Sequence, residues 1–595
     1  MLLSKTVKKI NLIILLLVIP ISFVALHKVF NLALFGDDYL AIWRFNYYLA
    51  PQNHSGWNIL SYFVTPYGAQ DITFGILHQF FNLQSFYYQC ISFILRLMAA
   101  FSLLPLTYYL TKNKFASFFA VLFFSVTAIG LDTTNWTFNL TSYVSLTFFN
   151  LFLFFLLKFN DDGRKLQLLL SLVFFYLASI WAPIRMTGLL PLLIILEAYF
   201  FIKNKKTNPA KKTILTIVPY IVVFIFISLT GSLPNLQVGL SNTVLAIATD
   251  GLNSMVKLLS QGRFDFLFYP FLVIGTLLVP DHILAVGSFT STSQLFRQLL
   301  VPIFLFFGIL IYILKVNLKY FSKRLFLTFL VSGVILSLMS LLVYYFNKSF
   351  VQSKDILFIL LGLLFISFNI FLFLAFRKNR LVSQAIFVSL TWILLSFIFI
   401  WIRAPDTKFP TVHRYLISPA TGFSIWLAVL ITLGKNFRSQ LIISLLVSIL
   451  IFIHIYATNI YLDQQLTYHN EKSSIKVWSV IPNLDQVVKN PRPLVFYLEN
   501  DGSNGAILHT MLGFGFDERI AATYQIYDLK KIPIIYEDWD ALVSAVTDGK
   551  SIIPYAGRIP KPIPIENIYA YRLIGQDTLI NITSQTRDKL KQILK

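Results

Sequence analysis

Between residues 10 and 460 the chain alternates apolar runs of roughly twenty residues with short polar breaks. A hydrocarbon core about 30 Å thick takes about 20 residues of α-helix. The runs near 10–30, 86–110, 115–131, 138–157, 166–181, 183–202, 213–231, 296–314, 325–346, 355–376, 382–401, 414–433 and 439–460 therefore predict thirteen membrane-crossing helices. With an odd number, an amino terminus on the cytoplasmic side sends the carboxyl terminus to the outer face. One more stretch, Phe264 to Val279, is apolar enough to cross, but counting it would move every later basic break to the other side. It is read as an interfacial or re-entrant segment of the outer face. The first run is not a cleaved signal: no small-residue cleavage site follows it, and the acidic Gly36-Asp37-Asp38 comes directly after.

After residue 460 the pattern changes. Short apolar runs at Leu494–Glu499, Ile532–Tyr536 and Ile568–Leu573 alternate with helical stretches at Ser473–Lys489, Trp539–Val546 and Gln585–Leu594. That alternation predicts a small α/β domain over 461–595. It carries no solenoid repeat, Gly-rich phosphate loop, HExxH or GxSxG. The fold class is thus an α-helical polytopic membrane protein over 1–460 with a small C-terminal α/β domain on the outer face. Within the first part, 31–85 is a long outer segment. There Leu40, Trp43 and Tyr47, then Phe74, Leu77 and Phe81, recur at helical spacing, as in amphipathic helices lying in the interface.

Composition supports this picture. Of 595 residues, 56% are hydrophobic and 13% charged, about half the charge of an ordinary soluble domain, which excludes a soluble globular fold. The single cysteine, Cys90, excludes a disulfide framework and any Cys-based metal site. The net charge of +22 raises nucleic acid as a partner until its location is known. Residues 1–460 hold 34 Lys+Arg against 12 Asp+Glu, whereas 461–595 hold 15 of each. Within the first part the excess falls in alternate breaks, at Lys112/Lys114, Lys158/Arg164/Lys165, Lys203–Lys212, Lys315–Arg324, Arg377–Arg380 and Lys435/Arg438. This is the positive-inside distribution, and it excludes nucleic acid as the partner.

The opposite breaks carry the candidate chemistry. Asp37 and Asp38 stand where the chain leaves the first apolar run; such carboxylates are costly near hydrocarbon and could take a proton from an acceptor hydroxyl. The alternative is that both cap the helix that follows. Asp132, in Gly130-Leu131-Asp132-Thr133-Thr134-Asn135-Trp136, is the only acid in its turn; it either faces Asp37 and Asp38 across one cavity or forms the turn. His413 and Arg414, before Tyr415, stand at a helix rim where a guanidinium fork suits a phosphate or snorkels. Arg185 runs against the positive-inside trend and is a second phosphate or sugar contact. Arg96 falls inside the second run, as a buried pair partner or a lipid-phosphate contact. No His/Asp cluster has metal-ligand spacing, so no cofactor is expected; a divalent ion shared by Asp37 and Asp38 is the one metal site on offer.

Three of these stretches resemble the GT-C superfamily of polytopic glycosyltransferases that use polyprenyl-phosphate sugars, of the protein O-mannosyltransferase and aminoarabinose-transferase type. Gly36-Asp37-Asp38-Tyr39 resembles the acidic motif of the first outer loop. Asp132-Thr133-Thr134-Asn135-Trp136 is similar to the second acidic turn, although relatives often have His-Pro and Glu there. Arg414-Tyr415-Leu416-Ile417-Ser418-Pro419-Ala420-Thr421-Gly422-Phe423 is similar to an Arg-Tyr-Leu-x-x-Pro-x-x-Gly-Phe stretch of the members that carry tetratricopeptide repeats. The resemblance covers roughly 10–460 and leaves the tail unmatched. It implies a metal-independent inverting transfer from a polyprenyl-phosphate sugar to a glycan, lipid or protein acceptor. Asp37 or Asp38 would be the base, Asp132 would position the acceptor or sugar, and Arg414, with His413, Tyr415, Arg185 and Trp136, would hold the donor. The expected place is the plasma membrane, as a multi-pass protein of the cell envelope, and the wealth of Phe, Ile, Lys and Asn suggests an AT-rich bacterial genome. Two other classes share the hydropathy pattern. An O-antigen-type polymerase or ligase would not need the early Asp-Asp pair. A lipid-linked sugar transporter would show more intramembrane charge and an inverted repeat.

Overall fold

The computed structural model describes residues 5–49, 68–186, 188–203, 209–230, 244–285, 308–317, 323–346, 350–481, 494–499, 505–526, 531–547, 563–575 and 577–594. The helical body consists of α1 (Lys5–Leu26), α2 (Asp37–Leu49), α3 (Gly68–Phe81), α4 (Ser85–Thr111), α5 (Lys114–Val126), α6 (Thr141–Asp162), α7 (Lys165–Trp181), α8 (Leu189–Lys203), α9 (Pro209–Thr230), α10 (Val244–Ser260), α11 (Tyr269–Leu278), α12 (Lys323–Phe346), α13 (Ser353–Ala375), α14 (Arg380–Arg403), α15 (Ile417–Thr432) and α16 (Phe437–His469). Each apolar run of the sequence is mostly helical where it is described, although the third turns out of helix after Val126; residues 187, 231 and 296–307 of the sixth, seventh and eighth runs lie outside the described residues. Six helices among the described residues are long and apolar enough to cross a membrane, beginning at Ser85, Thr137, Lys354, Arg380, Arg414 and Phe437. Of the thirteen expected crossings, six meet that length and composition among the described residues.

The described breaks sort to two ends of the body. At one end the basic breaks meet: Arg380 pairs with Asp161 at 2.6 Å, Lys203 donates to Ser383 at 2.8 Å, Asn113 to Gln440 at 3.4 Å and Asn317 to the Leu433 carbonyl at 3.0 Å. At the other end the 130–139 turn binds the 411–414 segment, through Gly130 N–H to Thr411 and Asp132 N–H to Val412, both at 2.8 Å. The apolar stretch that includes Phe264–Val279 forms α11, only ten residues long and almost wholly buried. Both its flanks stay at this second end, since Trp401 donates to the Phe266 carbonyl at 3.1 Å and Asp281 N–H to Thr411 at 3.1 Å. α11 packs on α13 with backbones touching: a Cβ on Gly275 would lie 2.0 Å from the Phe358 carbonyl oxygen, and one on Gly362 would lie 1.9 Å from that of Phe271. Small residues permit such approach between helices that lack a hydrophobic drive to associate in lipid.

Arg96 is buried in α4 with no carboxylate beside it. Its guanidinium donates to the carbonyls of Ser125 (3.1 Å), Thr127 (2.5 Å) and Phe124 (3.4 Å), and to Thr134 Oγ1 (2.8 Å). These carbonyls belong to the C-terminal end of α5, where orphan acceptors and the negative pole of the helix coincide. Arg96 is thus neither half of a buried ion pair nor placed for a lipid phosphate. It caps a helix and ties that helix to the 130–139 turn.

The last long helix, α16, continues past residue 460 to His469. A short α17 (Glu471–Ser479) leads into the tail, whose sheet runs in the order β2-β1-β3-β4. Here β1 (Val495–Glu499) lies parallel to β2 (Ile534–Tyr536) and β3 (Ile568–Ile574), and β4 (Thr578–Asn581) is antiparallel to β3. Helices α18 (Phe516–Thr523), α19 (Trp539–Thr547) and α20 (Thr583–Ile593) complete it. The three predicted strands and the last two helices are where the sequence placed them; residues 482–489 of the predicted Ser473–Lys489 helix lie outside the described residues.

α2 and α3 are helices, as their spacing predicts. α2 does not lie with a face in the interface, because the tail covers it. Tyr39, Ile42 and Trp43 of α2 and Phe74 of α3 share one core with Val477, Phe496, Phe516 and Ile520. Trp43 Nε1 donates to the Ile526 carbonyl at 2.9 Å, and Arg519 donates to the Tyr39 hydroxyl at 2.8 Å. α3 keeps an open apolar edge at Ile76 and Phe80.

Candidate active site at the acidic end

Asp37 and Asp38 open α2 on the same turn yet have different surroundings. Asp38 is fully buried, and both its oxygens are taken: it accepts from Phe35 N–H at 3.0 Å, from the Thr137 hydroxyl at 2.8 Å and from Phe138 N–H. Burial pushes its carboxyl up to about 7, against those three donors. Its place is that of a tie between the 35–38 turn and the 137–139 turn. Asp37 is part-exposed, and its carboxylate has no hydrogen-bond or ion-pair partner among the described residues. Burial raises its pKa above the ordinary value, and Arg414 and then Arg44 pull it part of the way back. The divalent site offered by the pair does not fit this arrangement: Asp38 has both oxygens turned onto N–H and O–H donors. Among the described residues no cluster of three or more metal-ligating side chains occurs.

Arg414 begins the short turn Arg414–Leu416 that leads into α15. Its guanidinium lies 4.4 Å from the Trp136 ring and 5.2 Å from that of Tyr415. Among the described residues no carboxylate lies within ion-pair distance of it. Both Asp37 and Asp132 feel its charge from beyond contact. A guanidinium over an indole with no carboxylate beside it among the described residues is a donor fork held by cation–π attraction.

Asp132 is part-exposed at the floor of the same depression. Tyr461 of α16 donates its hydroxyl to it, and burial pushes the carboxyl up to about 6 despite that bond, Arg414 and His282. The His413 ring meets Phe409 edge-on at 4.9 Å and Tyr415 at a tilt at 5.0 Å. Its Nδ1 accepts from Tyr415 N–H at 3.3 Å, so the ring proton sits on Nε2. Burial, then Arg414 and Arg185, hold its pKa down to about 3, so it is a neutral donor.

Arg185 does not share the open position of Arg414. Its fork binds Ser142 and, at 2.6 Å, Asn139, and its Nε donates to the Arg414 carbonyl at 3.3 Å. Thr133 donates to the same carbonyl at 3.0 Å. Arg185 therefore fixes the backbone that carries Arg414, and its charge is committed to protein. Trp136 is sandwiched by Arg414 on one side and Phe35 on the other, the latter at 5.4 Å and 25°. His469, buried with neither ring nitrogen bonded among the described residues, lies 4.4 Å beyond Phe35.

The structure thus brings Asp37, Asp132, Trp136, His413 and Tyr415 around Arg414, by ring contact or by charge, and commits Asp38 and Arg185 to backbone and side-chain partners beside them. Sequence reasoning missed Tyr461, which falls past the boundary placed at 460 although no helix breaker intervenes between residues 437 and 469. It also missed Asp281 and His282, which follow the Phe264–Val279 run and reach the cleft through Thr411. Asp281 accepts from Thr411 N–H at 2.9 Å, and the His282 ring lies 5.6 Å from Tyr461. Phe514 of the tail, which packs edge-on to Trp136 at 5.7 Å, carried no local signal at all.

No family model and no curated protein matches the sequence. The structure is similar to that of the archaeal oligosaccharyltransferase AglB from Archaeoglobus fulgidus, solved in complex with an inhibitory peptide and a dolichol-phosphate. The two share 14% identity over 85% of this chain, with a TM-score of 0.37, and the match spans 64% of that protein's length, less than two thirds of it.

Proposed function

We propose that the chain is an integral-membrane glycosyltransferase of GT-C type that moves a sugar from a polyprenyl-phosphate donor to an acceptor hydroxyl at the outer face of the plasma membrane. The observation that carries this reading is the pairing across the cleft: Arg414 and Asp37, a cation and a carboxylate, each without an ionic partner among the described residues and sensing each other beyond contact distance. An ion pair wanted for stability would have closed. A gap bounded by the two suits an anionic leaving group on one side and a hydroxyl on the other.

In the transfer, the acceptor oxygen bonds to the anomeric carbon as the bond from that carbon to the phosphate oxygen breaks. The acceptor proton passes to Asp37, whose burial raises its basicity over that of an exposed aspartate. Arg414 meets the charge that builds on the leaving phosphate, and the neutral His413 donates from Nε2 to the same group. Trp136 and Tyr415 hold the guanidinium flat. Asp132, oriented by Tyr461, accepts a hydroxyl of the sugar or acceptor. Asp38 and Arg185 position the turns and do not touch substrate.

The test is transfer of labelled sugar by membranes loaded with polyprenyl-phosphate hexose. Activity that collapses in Asp37→Asn and Arg414→Ala, at matched expression and unchanged thermal unfolding, is the expected outcome. Equal activity in Asp37→Asn and the parent would end the carboxylate mechanism and favour the polymerase or transporter reading.

A further inference from the structure

The tail is held to the body by contacts that do not need Phe514: the core that Trp43, Ile42 and Phe74 share with Phe496 and Ile520, and the bonds Trp43 to Ile526 and Arg519 to Tyr39. One residue of the tail nonetheless enters the site. Phe514 follows the short π-helical turn His509–Gly513, a conformation rare in general and frequent at functional sites. It is part-exposed and stands outside that shared core. Its ring lies on Gly36, where a Cβ would fall 2.1 Å from it, and its carbonyl accepts from Gly36 N–H at 3.1 Å. Gly36 and Gly515 both take positive φ, +58° and +83°, and their backbones touch; a Cβ on Gly515 would lie 2.5 Å from the Gly36 carbonyl oxygen. Across the cleft the same ring meets Trp136 edge-on. Phe514 therefore spans from the residue before Asp37 to the indole that carries Arg414. Behind it stands His509, its ring 6.2 Å away and its Nδ1 2.8 Å from Glu537, which gives the turn a fixed back.

We propose that Phe514 is the acceptor-side wall of the cleft, the specificity-determining residue that decides which hydroxyl reaches Asp37, beginning with the exclusion of water. This rests on the reading of Asp37 as the base. An apolar ring at that place contributes little to docking that is already secured, and it keeps the carboxylate dry until a group large enough to displace water occupies the slot.

Two measurements test it. With labelled polyprenyl-phosphate hexose and water as the acceptor, Phe514→Ala is expected to raise hydrolysis of the donor by about tenfold, and Phe514→Leu, which keeps an apolar wall, to restore the parent rate. A merely structural role would lower the rate instead. Independently of any activity, Asp37→Cys in a Cys90→Ser background is expected to react with a membrane-impermeant maleimide about tenfold faster when Phe514→Ala is added. Unchanged labelling overturns the wall, whatever the activity. Faster labelling in a protein whose parent neither transfers nor hydrolyses the donor would leave the wall in place and end the transferase reading.

Discussion

The two ends of the helical body are built from the same residue types on opposite principles. At the basic end, cations sit at the surface: Arg380 and Asp161 pair while 53% and 36% exposed. At the acidic end, the charged groups are buried or half-buried and most are saturated by backbone and hydroxyl partners, Asp38 and Arg185 above all. Buried polar atoms without a hydrogen-bond partner among the described residues occur there as well, on Asn135, Trp136, His282 and His469. Surface ion pairs in high dielectric contribute little and are exchangeable; buried charges left unpaired are costly and persist where the surroundings force them. The difference teaches that charge at the first end stays at the surface, whereas charge at the second is spent on ordering the turns or, on the proposed reading, kept for a ligand.

That contrast can be broken experimentally. The largest effect is expected from Asp37→Asn, with transfer reduced about 10²–10⁴-fold, the range for loss of a general base, while thermal unfolding in detergent stays put; an active variant would make the acidic end no more than a helix start. Next comes Arg414→Ala, measured as kcat/KM for the donor and expected to fall about 10²-fold. Its pH profile sharpens the point. Arg414 lowers the pKa of Asp37, so in its absence the carboxylate holds its proton to higher pH and the acid limb of the rate moves upward. A limb that stays or moves down would separate the two residues. Arg96→Gln tests the support behind the site: with the carbonyls at the end of α5 deprived of their donor, stability should drop by about 2–3 kcal/mol in chemical or thermal unfolding, and a neutral result would deny the helix cap. The smallest change is expected at the basic end. Arg380→Ala should cost under about 1 kcal/mol and leave transfer untouched; a large loss of activity there would erase the distinction between the ends.

Much of this was legible in the chain. Apolar runs and basic breaks place the helices because a long apolar run has few other stable homes, and the tail's strands show in their short β-rich runs. The acids and the arginine of the cleft stand out because charge near hydrocarbon is costly enough to demand a reason. What sequence alone left open was which member of each set is spent on structure. Asp37 and Asp38 are adjacent and chemically identical; only the donors of Phe35 and, 99 and 100 residues beyond Asp38, of Thr137 and Phe138 divide them. Arg185 and Arg414 both flank apolar runs, and only the turn at Asn139 and Ser142 occupies one and leaves the other.

The sequence by itself determined that this is a helical, basic-breaked, apolar protein with an α/β tail and that its unusual carboxylates and cations fall in alternate breaks, since those are matters of composition and period that hold whatever the packing. Tertiary structure alone decided that Asp37 lies within electrostatic reach of Arg414 without pairing with it, that Tyr461 donates to Asp132, and that Phe514 of the tail packs on Gly36 and Trp136. Those are relations between residues far apart in the chain, fixed by which backbone donors and rings the folding of distant segments brings together.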